Sequence, residues 1–300
     1  MSNKEDIGAK AGFAGAKVSV VIPCYNTHEF LGKTLDSVRA QTFPVDEIIL
    51  VDDGSTNPST IHFLDHVGDD VRLVRQQNKG LPAARNVGFG LAKGDYVLPL
   101  DADDWLEPSA IEKLLGALTS QDKAAFSFCQ IYMEGDGQGV LAKNYNFFEQ
   151  LFLNQLPYCL MLKKSAWEAA GGYDETMRRG YEDWEFNIRL GSMGYFGLAV
   201  AEPLFHYRIA QSGMLLSTSN KVHGELWASI RQRHPRVYGV SNLFHLWRYW
   251  RTRPSTYPLF LYFFWLTASR LLPTSAFATL FRALRRYSHG RRVTASASKA

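Results

Sequence analysis

Along the first two-thirds of the 300-residue chain, short β-branched apolar runs alternate with stretches of helical period. Val18-Ser19-Val20-Val21-Ile22 reads as a buried strand that stops at Pro23. Phe30, Leu31, Leu35 and Val38 follow at helical spacing, and that helix runs out near Gln41-Thr42. A strand over 47–51 leads to a turn at Asp53-Gly54-Ser55, then come a short helix over 61–67 and a strand over 71–74. The stretch 81–92 reads as a helix with Pro82 in its first turn, where a missing N–H costs nothing. Gly94-Asp95 ends it and opens a strand over 96–100. This β-α-β-α-β-α-β order predicts an α/β fold with a mostly parallel sheet and helices on its faces.

The pattern continues with a helix over 107–118, a strand over 124–132, a loop-like stretch over 135–148 and a strand over 160–162. A short helix over 165–170 closes on Gly171-Gly172, and a helix over 181–193 precedes a strand over 195–200. No internal repeat interrupts this order. The C-terminal part is different. Residues 257–272 are very apolar, but Pro258 and Pro273 bound them and Arg270 lies inside. That run is shorter than the ~20 apolar residues of a membrane-spanning helix. Residues 276–287 set Phe277, Leu280, Phe281 and Leu284 against Arg282, Arg285 and Arg286, a cationic amphipathic pattern.

Composition changes the picture in one respect. The hydrophobic share of 46% is ordinary for a globular protein. Cys24, Cys129 and Cys159 are far apart with no CxxC, which argues against a disulfide framework or structural zinc and for a reducing compartment. Residues 1–16 are polar and rich in Gly and Ala, without the apolar core of a signal peptide, and read as a flexible tail. Charge is unevenly placed. Residues 226–300 hold thirteen of the 33 Lys and Arg and none of the 29 Asp and Glu, so residues 1–225 are net acidic. The expected organisation is a tail over 1–16, a domain over 17–225 and a basic, aromatic helical region over 226–300. With Trp247, Trp250, Tyr257, Phe263, Phe264 and Trp265 among arginines, that last region reads as associating with an anionic membrane surface. Packing on the body and binding nucleic acid are the other readings of such a tail; nothing in it resembles a nucleic-acid module.

Candidate chemistry lies at the strand ends. The run over 96–100 terminates in Asp101-Ala102-Asp103-Asp104, and the run over 47–51 in Asp52-Asp53. Carboxylates packed so closely repel unless a cation sits among them, one holds a proton, or water screens them.

The ordered set Val18 to Asn26, Val51-Asp52-Asp53-Gly54-Ser55-Thr56, Ala83-Ala84-Arg85-Asn86 and Leu100-Asp101-Ala102-Asp103-Asp104 resembles a family 2 glycosyltransferase of the GT-A fold. Gly172-Tyr173-Asp174 and Gly180-Tyr181-Glu182-Asp183-Trp184 extend the resemblance, which covers roughly residues 17–215. It implies a Rossmann-like central sheet and transfer of a sugar from a nucleotide-sugar, usually a UDP-sugar, with inversion. Asp103 would ligate Mn2+ or Mg2+ directly, with Asp101 near the ribose and the metal. His206 would stand near the metal or diphosphate, beside Tyr207 and Arg208. Asp53 would accept from the base. Pro23, Tyr25, Asn26, Gly80, Arg85 and Ala102 would line the nucleotide, with Tyr25 stacking on the base and Asn26 fixing the loop. Asp183 would be the general base, and Gly172, Glu182 and Trp184 would shape the acceptor pocket.

Each residue also has a plainer reading. Asp53 is a common turn residue, Asp104 a natural N-cap, and acids such as Glu182 and Asp183 favour a first helical turn. Asn26 can serve only local hydrogen bonds. Arg85 can pair with Asp52 or Asp53. Glu185 is placed to pair with Arg189. Trp184 and Ile188, four apart, are expected to face the core and turn Asp183 and Asn187 elsewhere.

The expected function is a metal-dependent inverting glycosyltransferase acting on a glycan or lipid-linked acceptor in cell-envelope polysaccharide synthesis. It would lie on the cytoplasmic face of the membrane. One alternative is a haloacid-dehalogenase-like phosphatase using Asp101 and Asp103, but Trp105 stands where that family has Thr or Val, and the first strand ends in Pro-Cys-Tyr-Asn. The lack of GxGxxG after the first strand disfavours a dinucleotide oxidoreductase. A non-catalytic, membrane-attached sugar-nucleotide binder is the third reading.

Overall fold

The computed structural model describes residues 15–210, 222–253, 255, 257–273, 276–277 and 279–280. The chain divides into two compact units, Met1–Gln211 and Ser212–Ala300. The expected boundary after residue 225 falls inside a helix that spans His223–Arg233. The expected flexible tail over 1–16 lies almost wholly outside the described residues, as does most of the amphipathic stretch over 276–287.

The first unit is a layered α/β structure. Strand β1 (Val18–Cys24) is buried along its whole length. Helix α1 (Leu31–Arg39) buries Leu31, Thr34, Leu35 and Val38, one face at helical spacing. Strand β2 (Glu47–Asp52) is buried from its second residue onward. Helix α2 (Pro58–Asp65) starts earlier than the apolar period suggests, because Asn57 accepts from the Ser59 and Thr60 amides and Pro58 fits the first turn. Strand β3 (Val71–Arg75) and helix α3 (Leu81–Leu91) follow, then β4 (Tyr96–Pro99). Gly88 lets α3 approach β1 closely: a Cβ there would stand 2.2 Å from Val21 Cγ1.

The second half holds β5 (Trp105–Leu106), α4 (Ala110–Thr119), β6 (Ala124–Gly135), β7 (Gly139–Leu141), α5 (Phe147–Gln150) and β8 (Met161–Lys163). Next come α6 (Lys164–Ala170), α7 (Glu182–Ser192) and β9 (Phe196–Ile209). The expected loop over 135–148 thus contains β7 and α5, and β9 runs nine residues beyond the expected end at 200.

Among the described residues the sheet order is β3-β2-β1-β4-β8-β6-β9-β5, with β7 beside β6. β1, β2, β3 and β4 are parallel, and so are β6 and β9; β8 is antiparallel to both β4 and β6. Alternate residues feed two cores. Val20 and Ile22 join Leu35 and Leu114 on one face, while Val21, Ile49 and Val51 join Ala84, Phe89 and Phe186 on the other. The chain runs β1, β2, β3 outward, then returns to place β4 on the other side of β1. That reversal opens a crevice at the carboxyl ends of β1, β2 and β4, where open α/β sheets bind ligands.

The second unit contains α8 (His223–Arg233), α9 (Val240–Trp250) and α10 (Leu259–Leu271). The rings of His223, Trp227 and Phe277 cluster with pairwise centroid distances of 5.7 to 6.4 Å, and Arg231 lies over the Trp227 ring. Arg231 also donates to Ser269 of α10. Among the described residues no helix is long and apolar enough to cross a membrane.

Candidate active site

The first wall is built from the loops after β1 and β2. Asn26 sits in the left-handed region at φ 53°, a conformation Asn tolerates better than most residues. Its Oδ1 accepts from the Thr56 and Asn57 amides, both at 2.8 Å, so it ties the two strand-end loops together. Pro23 lies inside β1 opposite Val51. Tyr25, 49% exposed, stands free above it. Asp53 is buried. Its Oδ1 accepts from Gln76 Nε2 at 2.7 Å and the Lys79 amide at 2.8 Å, and its Oδ2 from the Gly80 amide at 2.8 Å. Asp53 therefore braces the loop that leads into α3, and Gly80 (φ 94°) is the residue before that helix.

Arg85 does not pair with Asp52 or Asp53. The α3 helix carries it 1% exposed beneath the crevice, with Nη2 2.8 Å from Asp101 Oδ1 and Nη1 2.7 Å from Glu182 Oε1. The rings of Tyr158 and Tyr173 lie 4.8 and 5.7 Å from its Cζ. Asp52 instead accepts from the Ser55 amide and lies 3.7 Å from Arg75. Burial works against the Arg85 charge, but Asp101 and Glu182 outweigh it and hold the guanidinium well above its ordinary pKa. Burial pushes Glu182 up, Arg85 opposes the rise, and the charge of Asp183 adds to it.

The acidic loop after β4 divides by role. The Asp101 and Asp103 side chains are part-exposed, at 24% and 31%, whereas Asp104 is buried. The Asp101 amide donates to Tyr158 Oη at 2.9 Å, and that hydroxyl donates to the Asp104 carboxylate. Asp104 Oδ1 accepts from the Arg208 amide at 2.7 Å, and Asp103 Oδ2 accepts from Arg208 Nη2 at 2.8 Å. Ala102 is buried, its carbonyl held by Thr34 Oγ1 at 3.1 Å. Burial, then the charges of Asp101 and Asp103, push Asp104 well above the usual carboxylate range. Burial and Asp101 also raise Asp103, with Arg208 opposing.

Among the described residues no three His, Cys, Asp or Glu side chains form a ready ligand set. Asp101 and Asp103 nonetheless fit a hard divalent ion. Each engages an arginine through one oxygen, and Mg2+ commonly takes one or two carboxylates and completes its shell with substrate phosphates and water. His206 does not belong to this group. Its Nδ1 lies 2.8 Å from Glu134 Oε1 and its Nε2 2.8 Å from Glu107 Oε1, so no ring nitrogen is left for a cation. Its ring stacks on Trp105 and Tyr132 and seals the β5–β9–β6 seam.

The opposite wall is the start of α7. Tyr181, at φ 68°, turns the chain into the helix. Glu182 and Trp184 point inward rather than toward an acceptor: Glu182 meets Arg85, and buried Trp184 donates Nε1 to the Gln150 carbonyl at 2.6 Å. Asn187 is buried too, against the expectation from helical spacing. Glu185 pairs with Arg189 at 2.6 Å, as the i,i+4 spacing suggests. Asp183 remains half-buried and accepts from Asn154 Nδ2 at 2.8 Å. Gly172 (φ 74°) is clamped: a Cβ would stand 2.8 Å from Asn86 Oδ1, which accepts from the Tyr173 amide.

Sequence reasoning passed over Tyr158, Asn154 and Gln150. The available signal was an uncharged amide in the apolar run Phe147-Phe148-Glu149-Gln150-Leu151-Phe152, since a buried amide needs partners.

Residues 19–196 match the model of the Glycosyl transferase family 2, and the chain belongs to that family. This membership sets aside the phosphatase reading. Glycosyltransferase GlyA of Streptococcus pneumoniae is 29% identical over 237 residues, 70% of this chain and 32% of that protein. Chondroitin synthase of Escherichia coli is 30% identical over 190 residues, 60% of this chain and 27% of the synthase. The chain thus spans about a third or less of either relative. The crystal structure of S. aureus TarS 1-349 in complex with UDP-GlcNAc superposes with a TM-score of 0.58 at 19% identity, covering 77% of this chain and 69% of that one. At that identity the likeness speaks for the fold, a GT-A arrangement.

Proposed function

We propose that this protein is a metal-dependent, inverting glycosyltransferase that moves a sugar from a UDP-sugar to a hydroxyl of a glycan or lipid-linked acceptor. The observation that carries the reading is the Asp101–Arg85–Glu182 bridge, which holds the acidic strand end and the helix start bearing Asp183 at one pole of the sheet. Asp103 and Asp101 would hold Mn2+ or Mg2+, which when bound would supply positive charge against the departing nucleoside diphosphate. Arg208, beside Asp103, supplies a second positive group for the same oxygens. Tyr25 offers its exposed ring to the base, and Asp53 spends its remaining lone pair on a base N–H.

On the other wall Asp183 takes the proton from the acceptor hydroxyl as oxygen attacks the anomeric carbon. The bond to the diphosphate breaks on the opposite face, so configuration inverts. Tyr158 and Asp104 hold the acidic loop from behind. The structure of TarS with UDP-GlcNAc makes that donor the first to try. The basic second unit suits attachment to the cytoplasmic face of a membrane and an acceptor carried on lipid, as in cell-envelope polysaccharide synthesis. The test is a panel of UDP-sugars with lipid-linked and free glycan acceptors. Metal-dependent transfer with inverted product supports the reading. Binding of every donor without turnover would favour a non-catalytic sugar-nucleotide scaffold.

A further inference from the structure

Helix α10 is apolar on two sides. Tyr262, Trp265, Leu266 and Ala268 are buried. Phe260, Phe264 and Leu271 are 68%, 46% and 78% exposed, and with Thr267 they stand at i, i+4, i+7 and i+11, a single stripe along the outer face. A surface helix that folds only for its own core carries polar residues on that face. Helix α9 repeats the feature, exposing Val240, Phe244 and Tyr249. Exposed arginines accompany these rings: Arg248, Arg251, Arg253 and Arg270.

We infer that the outer stripe of α10 docks on an anionic lipid surface. The inference rests on the membrane reading above and names the face that makes the contact. Charge selects the occupant. Residues 226–300 hold no acid, and Arg248, Arg251, Arg253 and Arg270 are exposed on and beside α9 and α10, so a second copy apposed there would set like charges against each other. Anionic headgroups complement it. The α10 helix, thirteen residues and about 20 Å long, is too short for the ~30 Å hydrocarbon core, so it lies in the plane of the interface. Phe260, Phe264 and Leu271 then enter the acyl boundary, and the arginines meet phosphates.

Flotation of the full chain with vesicles of phosphatidylglycerol and phosphatidylcholine, and of phosphatidylcholine alone, tests this. The expected result is salt-sensitive binding to the anionic vesicles, weakened about tenfold or more in the double variant Phe260→Ser/Phe264→Ser with an unchanged thermal transition. Should that variant fail to fold, Leu271→Ser reports the same loss in smaller measure. Full binding by a folded variant overturns the assigned face while leaving membrane attachment standing. Failure of the unmodified protein to bind anionic vesicles overturns both. A dimer in light scattering that the double variant converts to monomer assigns the stripe to a second copy instead.

Discussion

Asn154 Nδ2 lies 2.8 Å from Asp183 Oδ2, and Gln150 Nε2 fixes the Asn154 amide by donating to its Oδ1 at 3.1 Å. The pair joins the loop after α5 to the first turn of α7. It orients one carboxylate oxygen of Asp183; in the proposed mechanism the other takes the proton of the acceptor hydroxyl. Replacing Asn154 with Ala is expected to lower kcat about tenfold, the worth of one hydrogen bond to a charged group, with the affinity for UDP unchanged. In an Asp183→Asn background the same replacement is expected to cost little more, because the two residues act as a unit. Additive losses would contradict a positioning role.

Asp183→Asn itself is expected to keep nucleotide binding and to lose transfer by roughly 10²–10⁴-fold, the usual contribution of a general base. Steady-state transfer assays paired with calorimetry check this. Transfer at the native rate would remove Asp183 from the chemistry.

Arg85 is a buried charge with two carboxylate partners. Arg85→Met leaves Asp101 and Glu182 facing each other without a counter-ion. A loss on the order of 3–5 kcal/mol in chemical denaturation is expected. Adding Glu182→Gln to that variant is expected to restore part of the loss. A neutral Arg85→Met would show that the bridge has no structural weight.

Asp104 gives a pH dependence with a definite sign. Burial, Asp101 and Asp103 raise its pKa in the folded state, so between the unfolded carboxylate value and the raised folded value the native protein binds a proton there that the unfolded chain has lost. Stability therefore falls as pH rises from the unfolded carboxylate value toward the raised folded value, and the cost is absent below both. Asp104→Asn is expected to flatten that part of the stability–pH curve. An unchanged slope would assign it to other groups.

The sequence exposes the first half of this fold well because β1 and β2 are buried on both faces and their connecting helices each show one apolar face. The acidic strand ends are legible for the same reason, as charge interrupting apolar runs. The late part of β9 is not: His206 and Arg208 are polar residues satisfied by side chains more than seventy positions away, which hides the strand period. Arg85 shows the same limit. Its helix is visible, but its partners Asp101 and Glu182 come from two other segments that only the tertiary structure brings together. Glu182 and Trp184 mislead because a helix N-terminus is a natural place for acids and aromatic residues whether they face solvent or the interior.

Calorimetric titration of UDP into the full chain, with Mn2+ or Mg2+ and again under chelation, tests the electrostatic basis of the donor site most directly. Carboxylates at positions 101 and 103 repel a diphosphate unless an ion lies between them. Affinity is expected to rise at least about tenfold with the ion, and Asp103→Asn is expected to abolish most of that difference. Equal affinity with and without the ion would contradict the metal-bridged donor site.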